Sequence, residues 1–175
     1  MNSLPTVNNL KTHICVEGKN IQRLITALQK IEHIVHNNFI VCRDVYTFII
    51  FPKRGFINIT GIKSFCDLKN VIPHFCKLFK VEVDPKTELV VDNISASGSF
   101  DQFVNLVKLQ QVLNSRKKEF TVHFDRNFFP GAFCKTSGLG TLTLFPTGKY
   151  VVVGAKCLEH VNSISQMMGA VIQTL

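Results

Sequence analysis

The segment Phe145–Lys156 reads FPTGKYVVVGAK, and a similar segment, FPKRGFINITGIK, occupies Phe51–Lys63. Both begin with Phe-Pro, pass a glycine with a basic neighbour, continue through β-forming residues and end in Gly-x-Lys. Three landmarks recur 93 positions apart: Gly55 and Gly148, Gly61 and Gly154, Lys63 and Lys156. Three matches at one spacing predict an internal repeat.

The flanks of the two segments repeat as well. Apolar residues at helical spacing follow each segment, in SFCDLKNVIPHFCKLF and in CLEHVNSISQMMGAVIQTL. Upstream, the amphipathic stretches NIQRLITALQKI and FDQFVNLVKLQQVL follow short strand-like runs at 11–16 and 88–95. The chain is therefore predicted to contain two β-α-β-β-β-α repeats, residues 1–80 and 81–175, joined by a polar linker at 80–88. Four amphipathic helices predict an α+β fold with helices on one face of a sheet, which leaves the opposite face open for function.

The composition favours an intracellular protein with a polyanionic partner. Twenty basic and 12 acidic residues give a net charge of +8, an excess that is common in proteins that bind polyanions. The six cysteines form no CxxC pair and no secretory leader is recognisable, so reduced thiols are expected. No apolar run approaches the ~18 residues of a membrane span.

No pattern of catalytic residues is recognisable, and neither an enzyme activity, a cofactor nor a small-molecule substrate is expected. Gly148-Lys149 superficially resembles a phosphate-binding loop, but Tyr150 follows where that loop needs Ser or Thr. Cys66, His74 and Cys76 are near one another in sequence but lack the second ligand pair of a zinc site. No metal is expected.

The second repeat resembles the TATA-box-binding protein family. The motifs that carry the resemblance are Phe128-Phe129-Pro130-Gly131, then Phe145-Pro146-Thr147-Gly148-Lys149 and Gly154-Ala155-Lys156, preceded by Asn93-Ile94 in VVDNISAS. The tandem repeat extends the resemblance over nearly the whole chain. It implies a pseudo-two-fold saddle with an antiparallel sheet, helices on its convex face, and a concave face that docks on the minor groove of double-stranded, A·T-rich DNA.

The resemblance also implies site residues, since the family kinks DNA by wedging two phenylalanines per repeat between base steps. The residues at the wedging positions are Phe129, Phe145, Phe39 and Phe51. The implied minor-groove polar contacts are Asn93, Thr60 and His13. The implied phosphate contacts are Lys135, Lys149, Lys156, Arg43, Lys53, Arg54 and Lys63. The implied partners are transcription factors or RNA polymerase components, in the nucleus or another intracellular site of transcription.

Several positions depart from the family pattern. Aligning THICV with DNISA places His13 where the first repeat should carry its asparagine, and Val153 replaces the threonine before Gly-Ala-Lys. The hairpin from Phe39 to Phe51 is shorter than its counterpart, and core packing is the favoured interpretation of both phenylalanines. Asn127 replaces a glutamate that docks a general transcription factor in the family. Such divergence would suit a virus-encoded or specialised factor, acting in a viral factory if virus-encoded.

Two alternatives remain open at this point. The chain could be a protein-interaction module of a transcription complex that keeps the fold and does not bend DNA. It could also bind single-stranded nucleic acid by stacking bases on exposed phenylalanines.

Overall fold

A computed structural model describes residues 4–84, 87–115 and 120–175. The chain forms two compact units, of which the first is Asn9–Asp92 and the second combines Asn93–Leu175 with a short N-terminal piece ending at Asn8. Residues 85 and 86 of the predicted linker lie outside the described residues.

The first repeat contains five strands and two α-helices in the described residues, in the order strand, helix, four strands, helix. The elements are β1 (Thr6–Cys15), α1 (Lys19–Leu28), β2 (His33–Val35), β3 (Ile40–Arg43), β4 (Thr47–Phe51), β5 (Phe56–Ile62) and α2 (Leu68–Phe79). Its antiparallel strands are ordered β2-β3-β4-β5-β1.

The second repeat has the same element order. Its elements are β6 (Val90–Ser99), α3 (Leu106–Ser115), β7 (Thr121–His123), β8 (Ala132–Thr136), β9 (Gly140–Leu144), β10 (Lys149–Ala155) and α4 (Leu158–Ile172). The antiparallel strands are ordered β6-β10-β9-β8-β7. The predicted α+β fold is confirmed, and each half contains one three-residue strand more than predicted, β2 or β7, which no sequence pattern had marked.

Successive side chains of a strand point to opposite faces of the sheet, so every second side chain is buried in the core between the strands and the helices. In β4, Phe48 and Ile50 are fully buried while their neighbours are half-buried. The Phe48 ring lies 5.7 Å from that of Phe75 and 5.3 Å from that of Phe79, both on the apolar face of α2. This aromatic cluster anchors α2 on the first sheet.

The second repeat builds its core in the same way. Leu142 and Leu144 of β9 and Val152 of β10 are fully buried, and α4 contributes Ile164 and Met168. The helical periodicity predicted after Lys156 is confirmed at Val161, Met168 and Val171, all buried, whereas Leu158 at the start of α4 is exposed.

The side chains between the core positions form what we call the open face of each sheet. In the first repeat it includes Asn9 and His13 of β1, Phe51 of β4, and Phe56 and Thr60 of β5. In the second it includes Ser97 of β6, Phe133 and Lys135 of β8, and Val151 and Val153 of β10. These residues are half-buried or exposed. No α-helix in the described ranges is both long and apolar enough to cross a membrane.

Candidate nucleic-acid interface

The second repeat holds Phe129 and Phe145 together at the base of its hairpin. Their ring centroids are 5.8 Å apart, and the Phe129 ring also stacks at 4.9 Å on Phe133 of β8. All three rings retain solvent exposure, and none belongs to the buried core. They form a compact aromatic group on the open face.

The Pro130-Gly131 corner explains how the two rings reach each other. A Cβ at Gly131 would lie 2.9 Å from a ring carbon of Phe129 and 3.2 Å from one of Phe145, so a larger residue would displace the rings from this arrangement. The Phe129 amide donates to the Asp125 carbonyl at 3.0 Å, and the Phe145 amide donates to the Lys149 carbonyl at 2.9 Å. The rings are therefore carried on a fixed backbone.

The first repeat carries a matching pair. The Phe39 and Phe51 centroids are 5.7 Å apart, nearly the separation of the second pair, and Phe56 lies 6.1 Å from Phe51. His36 stacks on Phe39 at 4.4 Å. Both phenylalanines are half-buried and lie outside the core, so the core packing favoured from sequence is wrong. The shorter first hairpin still brings its two aromatic residues together.

In each repeat, an asparagine side chain accepts a hydrogen bond from the backbone amide of the glycine in the Gly-x-Lys ending. Asn93 Oδ1 accepts a hydrogen bond from the Gly154 amide at 2.6 Å. In the first repeat Asn9 Oδ1 accepts from the Gly61 amide at 2.8 Å, and its Nδ2 donates to Thr60 Oγ1 at 3.0 Å. The strand pairing shifts register next to both sites.

Asn9 is consequently the counterpart of Asn93, and the alignment that placed His13 there is wrong. The pairing registers agree, because Leu10 faces Ile62 and Ile94 faces Ala155. His13 lies further along β1, on the same face, where its Nδ1 contacts the Asp92 carboxylate at 2.8 Å. The repeat could have indicated Asn9 in sequence, since NNLKT and DNISA share an asparagine followed by a β-branched or aliphatic residue.

The remaining predicted site residues lie at the surface. The basic residues Lys135, Lys149, Lys156, Arg43, Lys53, Arg54 and Lys63 are all exposed. Thr60 is half-buried, and Val153 at the equivalent position is 41% exposed without a hydroxyl. Asn9, Phe56 and Phe133 were not predicted as site residues. The alternation in AFCKT places Phe133 on the same face as Lys135 and could have indicated it.

Two strand thiols, Cys42 of β3 and Cys134 of β8, are buried on the side opposite the open face. Burial raises the pKa of the Cys134 thiol to about 12, and burial followed by the nearby Asp44 charge raises the pKa of Cys42. All six cysteines are free. Within the described ranges no group of three His, Cys, Asp or Glu side chains is placed to hold a metal ion.

Comparison with known proteins agrees with this architecture. Residues 88–175, half of the chain, match the family model described as transcription factor TFIID, or TATA-binding protein. The solved structure of the TATA-binding protein of Methanococcus jannaschii superposes with a TM-score of 0.78 at 17% identity, covering 99% of this chain and 100% of that one. No curated protein sequence matches the chain significantly.

The structural likeness shows the fold, and the family match extends over the segment that carries the Phe129, Phe145 and Asn93 geometry. The chain belongs to the TATA-binding protein family of transcription factors.

Proposed function

We propose that this TATA-binding-protein-like transcription factor docks the open face of its sheets on the minor groove of A·T-rich DNA and kinks the duplex with phenylalanine wedges. The observation that carries the proposal is the pair of partly exposed rings at the base of each hairpin, 5.8 Å apart in one repeat and 5.7 Å in the other. Unstacking a base step costs a few kcal/mol, which an apolar wedge offsets only when its backbone is fixed.

Phe129 and Phe145 are the proposed wedge of the second repeat, and Phe39 and Phe51 that of the first. Because both pairs have the same separation, we propose that both repeats kink DNA. Each pair is also flanked by a third ring, Phe133 or Phe56, that supports it from the sheet.

The polar part of the interface consists of short donors and acceptors. Asn9, Asn93 and Thr60 are anchored by backbone or cross-strand hydrogen bonds. The free hydrogens of the two asparagine amides suit the acceptors that A·T pairs expose in the minor groove. Val153, at the position equivalent to Thr60, has no hydroxyl group to bond a base. We therefore propose a weaker A·T preference in the second repeat.

The seven exposed basic residues named above would meet the flanking phosphates. If all seven make contacts, the logarithm of the binding constant should fall with a slope of about −6 against the logarithm of salt concentration. Lys149→Ala should reduce affinity similarly for all duplexes, and it should make the salt dependence weaker, with a slope of about −5 in place of about −6. We place the protein at a site of transcription, nuclear or otherwise intracellular, or in a viral factory if the gene is viral.

The test measures binding and bending of A·T-rich duplex, G·C-rich duplex and single strands across a salt series. The variants are Phe129→Ala with Phe145→Ala, and Phe39→Ala with Phe51→Ala. The matched control is Phe128→Ala, because Phe128 is adjacent in sequence, 90% exposed and makes no ring contact with another described residue. Each double variant should lose bending and about 1–3 kcal/mol of affinity per ring, while the control keeps both.

Unchanged bending in both double variants would refute the wedge mechanism. Failure to bind any duplex at low salt would favour the interaction module, and tighter binding of single strands than of duplex would favour base stacking on the open face.

A further inference from the structure

The two repeats differ in a side-chain contact that is made from equivalent positions of β1 and β6. Asn9 and Asn93 are equivalent, so the offset along these strands is 93 − 9 = 84. With this offset, His13 of the first repeat is equivalent to Ser97 of the second, and Asn8 is equivalent to Asp92. In the second repeat the Ser97 hydroxyl donates to Asn8 Oδ1 at 3.4 Å. In the first, an imidazole and a carboxylate replace this neutral pair.

The Asp92 carboxylate decides which atom of His13 carries the proton. His13 Nδ1 lies 2.8 and 2.9 Å from the two carboxylate oxygens. An ionised carboxylate only accepts hydrogen bonds, so Nδ1 must donate. In the neutral ring the other nitrogen, Nε2, then carries a lone pair and is an acceptor.

The acceptor atom is available to a ligand. His13 Nε2 makes no hydrogen bond to any described residue, and it is not among the buried unpaired nitrogen atoms of the described chain. The side chain of His13 is 23% exposed. Its ring packs 4.8 Å from the ring of Phe56, and Asn58 faces it across the strand pair. The imidazole is thus held on the open face by two neighbouring strands and by Asp92.

We infer that His13 is a base-reading residue for guanine, and that Asp92 is its positioning residue. The inference rests on the proposed docking of the open face on the minor groove. There, A·T pairs present acceptors only, and G·C pairs add the guanine N2 amino group as the one donor. A fixed acceptor at His13 Nε2 matches that amino group and opposes the A·T acceptors.

Ser97 at the equivalent position gives no such selectivity. A hydroxyl rotates and can donate or accept, so it tolerates either base pair. The protein should therefore prefer an A·T-rich site that contains one G·C pair under the first repeat. This preference would distinguish its target from a uniformly A·T site.

The test uses A·T-rich duplexes in which one G·C pair is moved through the site, each paired with a duplex carrying inosine instead of guanine. Inosine lacks the N2 amino group and presents an A·T-like minor groove. Measurements are made at about pH 8, on the alkaline side of neutrality, because only a neutral imidazole offers an acceptor nitrogen. At one position the wild-type protein should bind the guanine duplex about three- to tenfold more tightly, as for one hydrogen bond of ordinary net strength.

Three variants separate base reading from structure. His13→Ser copies the second repeat and should abolish the guanine–inosine difference while still binding DNA. Asp92→Asn offers Nδ1 either an amide hydrogen or a carbonyl oxygen, so Nε2 is no longer fixed as an acceptor and the preference for guanine should become smaller. Ser97→Ala is the matched control and should keep the wild-type preference.

Duplex binding without a guanine preference at any position would overturn this inference and leave the proposed function standing. A preference that survives in His13→Ser would also overturn it. Absence of duplex binding by the wild-type protein would overturn both proposals.

Discussion

Replacing Gly148 by alanine tests why the internal repeat keeps a glycine at this landmark. Its φ of +80° lies in the left-handed region, and an added Cβ would overlap the backbone oxygen of Gln102. That contact cannot relax easily, because the Gly148 carbonyl accepts from the Phe100 amide at 3.0 Å and its amide donates to the Phe145 carbonyl at 2.9 Å. The glycine therefore fixes the hairpin base next to a proposed wedge.

Gly138 provides a control that separates backbone strain from overlap. It has the same φ of +80°, but nothing lies within 4 Å of its ideal Cβ. A left-handed backbone costs a residue with a Cβ about 1–2 kcal/mol, which is the whole effect expected for Gly138→Ala. Relieving an overlap in a packed region adds about 1–3 kcal/mol. Gly148→Ala should thus lower the free energy of unfolding by about 2–5 kcal/mol.

The assay is urea unfolding followed by far-ultraviolet circular dichroism, since the chain has no tryptophan. Gly55 is the equivalent landmark of the first repeat, with φ of +62° and an overlap of its ideal Cβ with the Val16 oxygen, so Gly55→Ala should behave like Gly148→Ala. If Gly148→Ala and Gly138→Ala lowered stability equally within about 0.5 kcal/mol, close approach to Gln102 would not be the reason for the glycine.

Three further predictions concern the core and the interface. Phe48→Ala should cost about 3–5 kcal/mol in urea unfolding, whereas Phe103→Ala, at a side chain 88% exposed, should change stability by less than about 0.5 kcal/mol. Because burial raises the pKa of Cys134 from 9.0 to about 12, its contribution to stability is complete below pH 9 and is lost as pH rises from 9 toward 12. Urea midpoints across that range should fall less steeply in Cys134→Ala. Asn9→Ala leaves a part-buried backbone amide without its acceptor and should cost about 1–3 kcal/mol in the same assay, whereas Asn93→Ala removes a solvent-exposed hydrogen bond and should cost about 0.5–1.5 kcal/mol.

Sequence patterns were sufficient for the elements that depend on local periodicity. The four glycine landmarks, Gly55, Gly61, Gly148 and Gly154, have φ between +62° and +90°, where glycine is favoured, so a shared spacing of 93 residues is visible in the sequence. The apolar spacing after Lys156 predicted the buried face of α4. Both signals come from neighbours within a few residues, and sequence shows these directly.

The alignment of THICV in β1 with DNISA in β6 was wrong because the contact that decides it joins residues far apart in the sequence. The offset between repeats is 84 at Asn9 and 93 at Gly61, so the intervening loops differ by nine residues. Apolar patterns alone allow several alignments of THICV and DNISA, since every shift by two keeps the same face. The hydrogen bond from the Gly61 amide to Asn9 fixes the choice, and it joins residues 52 positions apart.

The corrected alignment changes where the divergence of this protein lies. The features that build the interface are reproduced in both repeats, namely the paired rings and the asparagine bound to a glycine amide. The differences fall instead on open-face side chains that could face bases: His13 against Ser97, Asp92 against Asn8, Asn58 against Val151, and Thr60 against Val153. Wedging at both hairpins requires a ring pair in each repeat, and both pairs are present with nearly equal spacing, whereas an interaction module without DNA does not require them. Divergence of this kind therefore favours an altered target sequence over an interaction module without DNA, and the inosine duplexes measure that distinction directly.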